Sequence, residues 1–331
     1  MKAPKVSVLM KTYNHAGFIR HAVESVLMQE VDFDYEIILG EDCSSDGTRS
    51  IVEELALQFP EKIRAILPER NIGRVAMIEL TFSQCRGTYI ALLEGDDYWT
   101  SPHKLRRQVE FLDRNPDCTE CVHNVRVAYS DGSADQDYTR FTKSRYTIED
   151  VLQSVVHLPT CSLVFRKGLF EKYPDWIHSL DMADLPLHVL NSMHGAIGVL
   201  DETMATYRVH EGGVWSVGLG SSRWSLKTFQ KRNHSMVKFY ETINAFLEFR
   251  YDEIIRLKLS MLHYDLVWSY QEDGNRLMMR THLMKAYQAR LFNSNTSRKY
   301  MVKAWILGFV PFVFPGYLFL KRRKQMDCLP C

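Results

Sequence analysis

The first third of the chain alternates short apolar runs with stretches of helical period. Val6 to Met10, Glu36 to Gly40, Ile63 to Leu67 and Tyr89 to Leu93 have the length and composition of buried strands. Between them Ile19, Ala22, Val23, Val26 and Leu27 recur at helical spacing, as do Ile51, Val52, Leu55, Ala56 and Phe59. Ser45 or Asp46 is placed to cap the second of these helices. Ser101-Pro102 reads as cap plus first-turn proline for a helix carrying Leu105, Val109 and Leu112. Such alternation predicts βαβ units, an α/β fold whose sheet is mostly parallel with helices on both faces. Ligands of such sheets sit beyond the carboxyl ends of the strands, so the loops after Met10, Gly40 and Leu93 are where chemistry is expected.

From about Ser222 the pattern turns helical. Met236, Phe239, Tyr240, Ile243 and Phe246 form one stripe and Ile254, Leu257, Met261 and Tyr264 another, both read as core or partner-helix contacts. Asp273-Gly274-Asn275 is a turn between helices. Ala304 to Leu320 carries no charge and is followed by Lys321-Arg322-Arg323-Lys324. It is short of the roughly 20 residues a spanning helix needs, and Pro311 and Pro315 interrupt it. An apolar segment beside a basic cluster suits the anionic surface of a membrane, the alternative being a helix folded back on the domain.

Composition narrows the classes. With 12% aromatic and 46% hydrophobic residues the chain is not disordered. Lys plus Arg is 41 and Asp plus Glu 40, so the net charge is +1, and no nucleic acid is expected as partner. The seven cysteines are scattered and no secretory leader precedes Val6, which points to the cytoplasm, peripheral on the inner face of the cell membrane. Cys118 and Cys121, like Cys328 and Cys331, have zinc-type spacing but lie far apart in the chain, so free thiols are the reading. P-loop and dinucleotide fingerprints are absent.

Three strand ends carry unusual polar residues: Lys11-Thr12-Tyr13-Asn14, then Glu41-Asp42 running to Asp46, then Glu94-Gly95-Asp96-Asp97. Carboxylates gathered at one edge of a sheet repel unless they share a cation, and Mg²⁺ or Mn²⁺ with oxygen ligands and substrate phosphates is the simplest resolution.

These residues resemble the family 2 glycosyltransferases of GT-A fold, of the type that builds bacterial cell-surface polysaccharides. Val6 to Asn14 is similar to that family's opening strand and loop. Glu41 to Thr48 is similar to its Ser-x-Asp-Gly-Thr signature, Asn71-Ile72-Gly73 to the next loop, and Glu94 to Asp97 to its DXD-type metal motif. The resemblance spans roughly Val6 to Ser216. It implies a donor domain over residues 1–216, while the helical pattern and the apolar-plus-basic composition already noted give a helical region over 217–300 and a membrane-associating tail over 301–331. It further implies an inverting transfer from a UDP- or dTDP-sugar to a saccharide acceptor, polyprenyl-linked. Carried over by position, Thr12, Tyr13 and Asn14 lie at the donor, with Tyr13 against the pyrimidine. Glu41 and Asp42 follow, Asp42 accepting the pyrimidine N3–H, with Arg74 and Glu94 near the donor. Asp96 sits at the ribose or the Mn²⁺ or Mg²⁺ ion, Asp97 binds the ion, and His210 of Tyr207-Arg208-Val209-His210 is a third ligand. Asp184 falls at the catalytic base position, where Ala183 replaces the usual preceding acid and Asp181 is the rival. Pro159-Thr160-Cys161-Ser162 and His123-Asn124 are candidates for the acceptor side; His188 and His194 read as ordinary surface or core histidines. A catalytically inactive nucleotide-sugar binder and a sugar-nucleotide pyrophosphorylase are the alternatives, the latter lacking its Gly-rich, Arg-containing loop. A homo-oligomer stays open.

Overall fold

The computed structural model describes residues 3–138, 141–213 and 225–290. In chain order the elements are β1 (Val6–Thr12), α1 (Ile19–Leu27), β2 (Tyr35–Glu41), α2 (Thr48–Gln58), β3 (Ile63–Ile66), α3 (Arg74–Gln84), β4 (Tyr89–Glu94) and β5 (Tyr98–Trp99). They continue as α4 (Lys104–Arg114), β6 (Cys118–Tyr129), β7 (Gln136–Asp137), β8 (Arg145–Tyr146), α5 (Ile148–Leu152), β9 (Val164–Arg166), α6 (Asp184–Ser192) and β10 (Ala196–Val209). Three helices follow, α7 (Leu226–Phe246), α8 (Asp252–Glu272) and α9 (Arg276–Arg290). The contacts divide the chain into two compact units, Met1–Ser221 and Ser222–Cys331. The proposed tail over 301–331 lies outside the described residues.

One sheet runs β3-β2-β1-β4-β9-β6-β10-β5, with β7 on β6 and β8 on β10. The β3-β2-β1-β4 half is parallel throughout, and β6 and β10 form the other parallel pair. Short antiparallel strands β9 and β5 enter where the chain turns back. The inner strands are apolar on both faces because helices cover them: Val6, Val8, Met10, Ile37, Ile38 and Leu39 are fully buried. Each such side chain contributes about 1.5–3 kcal/mol by burial. Glu36 interrupts this run, and its carboxylate is neutralised where it lies, by Ser7 Oγ at 2.7 Å and Arg86 Nη2 at 2.6 Å.

One helix start settles between two expected caps and another differs from expectation. The second helix begins at Thr48, and Asp46 rather than Ser45 holds it, Oδ1 accepting the Thr48 N–H at 3.0 Å. The helix expected from Ser101-Pro102 begins at Lys104, two residues later; Ser101 Oγ takes the His103 N–H at 3.3 Å instead. Cys118 and Cys121 are buried free thiols in β6. In the second unit the expected α8 stripe is not the packed one. Leu257 and Met261 are exposed, whereas Ile255, Leu262 and Leu266 are buried. This helix is apolar on several sides, so its period alone does not choose the face that packs.

Candidate active site

Strand ends β1, β2 and β4 bring their loops together, and a glycine permits the contact. A Cβ on Gly95 would stand 2.5 Å from Thr12 Oγ1 and 3.1 Å from His15 Nδ1, so only glycine lets the β4 loop close on the β1 loop. The register of β5 on β10, Tyr98 against Thr206, then sets Asp96 and Asp97 beside Arg208 and His210. His210 Nε2 lies 3.2 Å from Asp96 Oδ2, and His15 Nε2 lies 3.5 Å from the same oxygen. Arg208 donates its N–H to Asp97 Oδ1 at 2.9 Å and its guanidinium to the Asp96 carbonyl at 2.8 Å. Lys11 pairs with Glu94 at 2.9 Å.

The two aspartates differ sharply. Burial opposes the charge on Asp96, but the hydrogen bond from His210 and the His15 and His210 charges outweigh it and hold the carboxyl below its ordinary value. Asp97 is pushed well above the ordinary value, by burial first and by the Asp96 carboxylate second. Its Oδ2 is buried with no hydrogen-bond partner, as are Thr12 Oγ1 and His15 Nδ1 close by. A buried carboxylate oxygen without a donor calls for a proton or a cation, so the residues fit a divalent ion. Among the described residues no three acidic, histidine or cysteine side chains form a ready-made cage, so the remaining ligands would be phosphate and water. His210 Nε2 is directed at Asp96.

At the end of β2 Asp42 is satisfied instead, whereas the buried Glu41 Oε2 has no hydrogen-bond partner. Asp42 accepts the Ile72 N–H on Oδ1 at 2.7 Å and the Gly73 N–H on Oδ2 at 3.0 Å, and its carbonyl accepts from Asn71 Nδ2 at 2.9 Å. Gly73, at φ +86, makes this turn possible. Glu41 is fully buried; it accepts the Ser44 N–H at 2.6 Å and faces Arg49 Nη1 at 3.7 Å. Asn14, at φ 55, ties the β1 loop to the β2 loop, its N–H donating to Ser44 Oγ at 2.8 Å and its Oδ1 accepting the Ser45 N–H at 3.0 Å. Tyr13 is exposed, its ring open to solvent. Arg74 opens α3, half-buried.

Asp184 is the first residue of α6, behind Ala183, which has no side chain to cap the helix. It lines a cavity of about 30 Å³ with Lys11, Glu94, Thr160 and Tyr173. The base candidate, the opening acid of the β4 motif and Thr160 therefore meet in one place, while Asp181 is exposed on the preceding turn. His123 is buried in β6, its Nδ1 on the Asn124 carbonyl at 2.8 Å, and its pKa is driven well below the ordinary value by burial and by Lys104. Two features escape the sequence reading. His15 reaches Asp96, and only its place in the first loop could have signalled this. His188, read as ordinary, is buried and ion-paired to Glu120 at 2.9 Å, a partner 68 positions away.

The family model described as glycosyl transferase family 2 matches residues 7–173. The chain belongs to that family. It is 37% identical over 238 residues to the uncharacterized protein Rv1520 of Mycobacterium tuberculosis, covering 72% of this chain and 67% of that one. It is 30% identical over 153 residues to TuaG of Bacillus subtilis, named a putative teichuronic acid biosynthesis glycosyltransferase, covering 46% of this chain and 59% of that one. The mannosyltransferase PcManGT of Pyrobaculum calidifontis, solved with GDP-Man and Mn²⁺, superposes with a TM-score of 0.54 at 14% identity, covering 99% of this chain and 85% of that one. The fold is GT-A, with a helical region after the sheet, and the protein is a glycosyltransferase.

Proposed function

We infer that the protein performs an inverting transfer of a sugar from a UDP- or dTDP-sugar to a lipid-linked saccharide acceptor, in the making of a cell-surface polysaccharide. The observation that carries the reading is the cavity shared by Asp184 and Glu94, which sets a carboxylate beside the loop of Asp96 and Asp97. In a single displacement one base suffices. Asp184 takes the proton of the acceptor hydroxyl as that oxygen attacks the anomeric carbon, help typically worth about 10²–10⁴-fold.

Tyr13 offers an open ring for the base to stack on, worth about 1–3 kcal/mol. Each Asp42 oxygen keeps a lone pair beyond the backbone N–H it accepts, so a pyrimidine N3–H can still be bound there. Asp97, through its unpartnered Oδ2, and Asp96 would hold a Mn²⁺ or Mg²⁺ ion, with His210 orienting Asp96. That ion, when bound, supplies charge to stabilise the departing diphosphate. Among the described residues no helix is long and apolar enough to cross a membrane. Attachment to the inner leaflet therefore rests on the composition of residues 304–324. The likeness to TuaG, named for teichuronic acid biosynthesis, supports the polysaccharide class.

The test is calorimetric titration with UDP and with dTDP, each with and without Mn²⁺, beside turnover of the corresponding sugars. Asp184→Asn is expected to abolish transfer and to leave nucleotide binding intact. Loss of both together would remove Asp184 from the base role, and full activity in the variant would do the same. Metal-dependent binding in a wild-type chain that transfers no sugar would favour the inactive nucleotide-sugar binder.

A further inference from the structure

Beneath the first turn of α6 lies a buried polar cluster that the transfer reaction does not use directly. Glu120 is fully buried in β6, a strand paired on both sides, with Phe165 of β9 and Ile197 of β10 as its register neighbours. Both of its oxygens are taken by α6: Oε2 by His188 Nδ1 at 2.9 Å and Oε1 by Asn191 Nδ2 at 2.6 Å. His188 stands four residues after Asp184, one helical turn further along, a spacing that brings Cβ atoms within about 5–6 Å. Its other nitrogen, Nε2, is buried. Tyr173, which lines the Asp184 cavity, also lies within reach of the Glu120 charge.

Stability alone does not explain an ion pair in this position. Replacing a buried pair with apolar side chains of similar size is often neutral or stabilising. The helix has apolar anchors of its own in Leu187, Val189 and Leu190, all buried. What the pair adds is a cation fixed one turn below Asp184. The geometry points to the Glu120–His188 pair as the positioning device of the base, fixing the first turn of α6 against β6 and presenting the imidazolium to the Asp184 carboxylate. Burial works against the charged ring, but the Glu120 carboxylate and, after it, Asp184 hold His188 above its ordinary value. The anchored first turn thereby holds the Asp184 carboxylate at the cavity it shares with Glu94.

This inference rests on Asp184 being the base, so the test needs a readout that does not depend on turnover. In the full-length, histidine-labelled protein, the His188 ring is assigned by its loss in the Glu120→Gln/His188→Gln double variant and titrated by NMR. Because the Asp184 charge is among the causes that hold the His188 pKa up, Asp184→Asn is expected to lower it. An unchanged value overturns the inference. Kinetics supply the second arm, on whichever UDP- or dTDP-sugar the wild-type chain turns over with Mn²⁺. Because His188→Gln alone strands the buried Glu120 carboxylate, the Glu120→Gln/His188→Gln double variant is used, which keeps an amide pair without charge. Its kcat is expected to fall at least about tenfold with the donor KM unchanged. An unchanged kcat, or a loss confined to KM, refutes the positioning role. If Asp184→Asn still transfers sugar while the NMR coupling is present, the base assignment fails and the charge coupling stands.

Discussion

The acidic loops after β2 and β4 carry the same kind of residues at the ends of neighbouring parallel stretches, yet the fold treats them oppositely. Asp42 has a backbone N–H on each oxygen, and the Asn71-Ile72-Gly73 turn is built around it. Asp97 receives a single N–H, from Arg208, and its second oxygen is buried without a donor. One carboxylate has a donor on each oxygen and holds a loop; the other is left with an oxygen that only a proton or a cation relieves. A cluster of acids in a sequence is therefore two things at once, and the supply of N–H groups around each oxygen separates them.

The largest effect expected from this contrast is at Asp97. Asp97→Asn should abolish the Mn²⁺-dependent part of UDP binding, a loss of at least tenfold by calorimetry, while raising the stability of the metal-free protein by about 1–3 kcal/mol. The sign follows from the raised pKa. An ionised Asp97 weakens the metal-free fold as pH climbs above the unfolded carboxylate value, and the amide removes that penalty. Unchanged metal dependence, or destabilisation in the absence of metal, would break the comparison.

Asp42→Asn should act in the opposite direction. An amide NH₂ placed against one of the two backbone donors leaves an unmatched pair, costing about 1–3 kcal/mol in denaturant titration whether or not metal is present. A variant as stable as the wild type would mean the turn does not depend on its carboxylate.

A smaller effect sharpens the picture from behind the β4 loop. Lys104 is fully buried, donating to Gln108 Oε1 at 2.7 Å and lying 4.1 Å from the Trp99 ring centre, and burial pushes its pKa down from 10.5 to about 7. Between those values the unfolded chain binds a proton that the folded chain does not, so stability rises with pH. From pH 7 to 9 the wild type should gain about 2 kcal/mol over Lys104→Met, read from melts at both pH values. Parallel pH curves would show that the buried ammonium keeps its ordinary affinity for protons.

Much of this was legible in advance. The β1, β2 and β4 runs, the α1 and α2 stripes and the order of polar loops follow from apolar period and local chemistry, which are properties of neighbouring residues. The α8 face was misjudged for a physical reason: Leu257 and Met261 are as apolar as Ile255 and Leu266, and only the surrounding helices decide which pair is buried. His188 was passed over because a histidine gains its character from its partner. Its partner, Glu120, reads in sequence as a polar interruption of a strand.

The sequence by itself determined the family, the strand–helix alternation, and which side chains could do carboxylate chemistry. Only the tertiary structure decided what each carboxylate does. Asp46 holds a helix start, Asp42 a turn, Asp96 a pair of histidines and Glu120 a buried imidazole, while Asp97 keeps an open oxygen. The reason is that a carboxylate's state depends on burial and on the donors within about 3 Å of it, and those donors arrive from strands and helices far away in the chain.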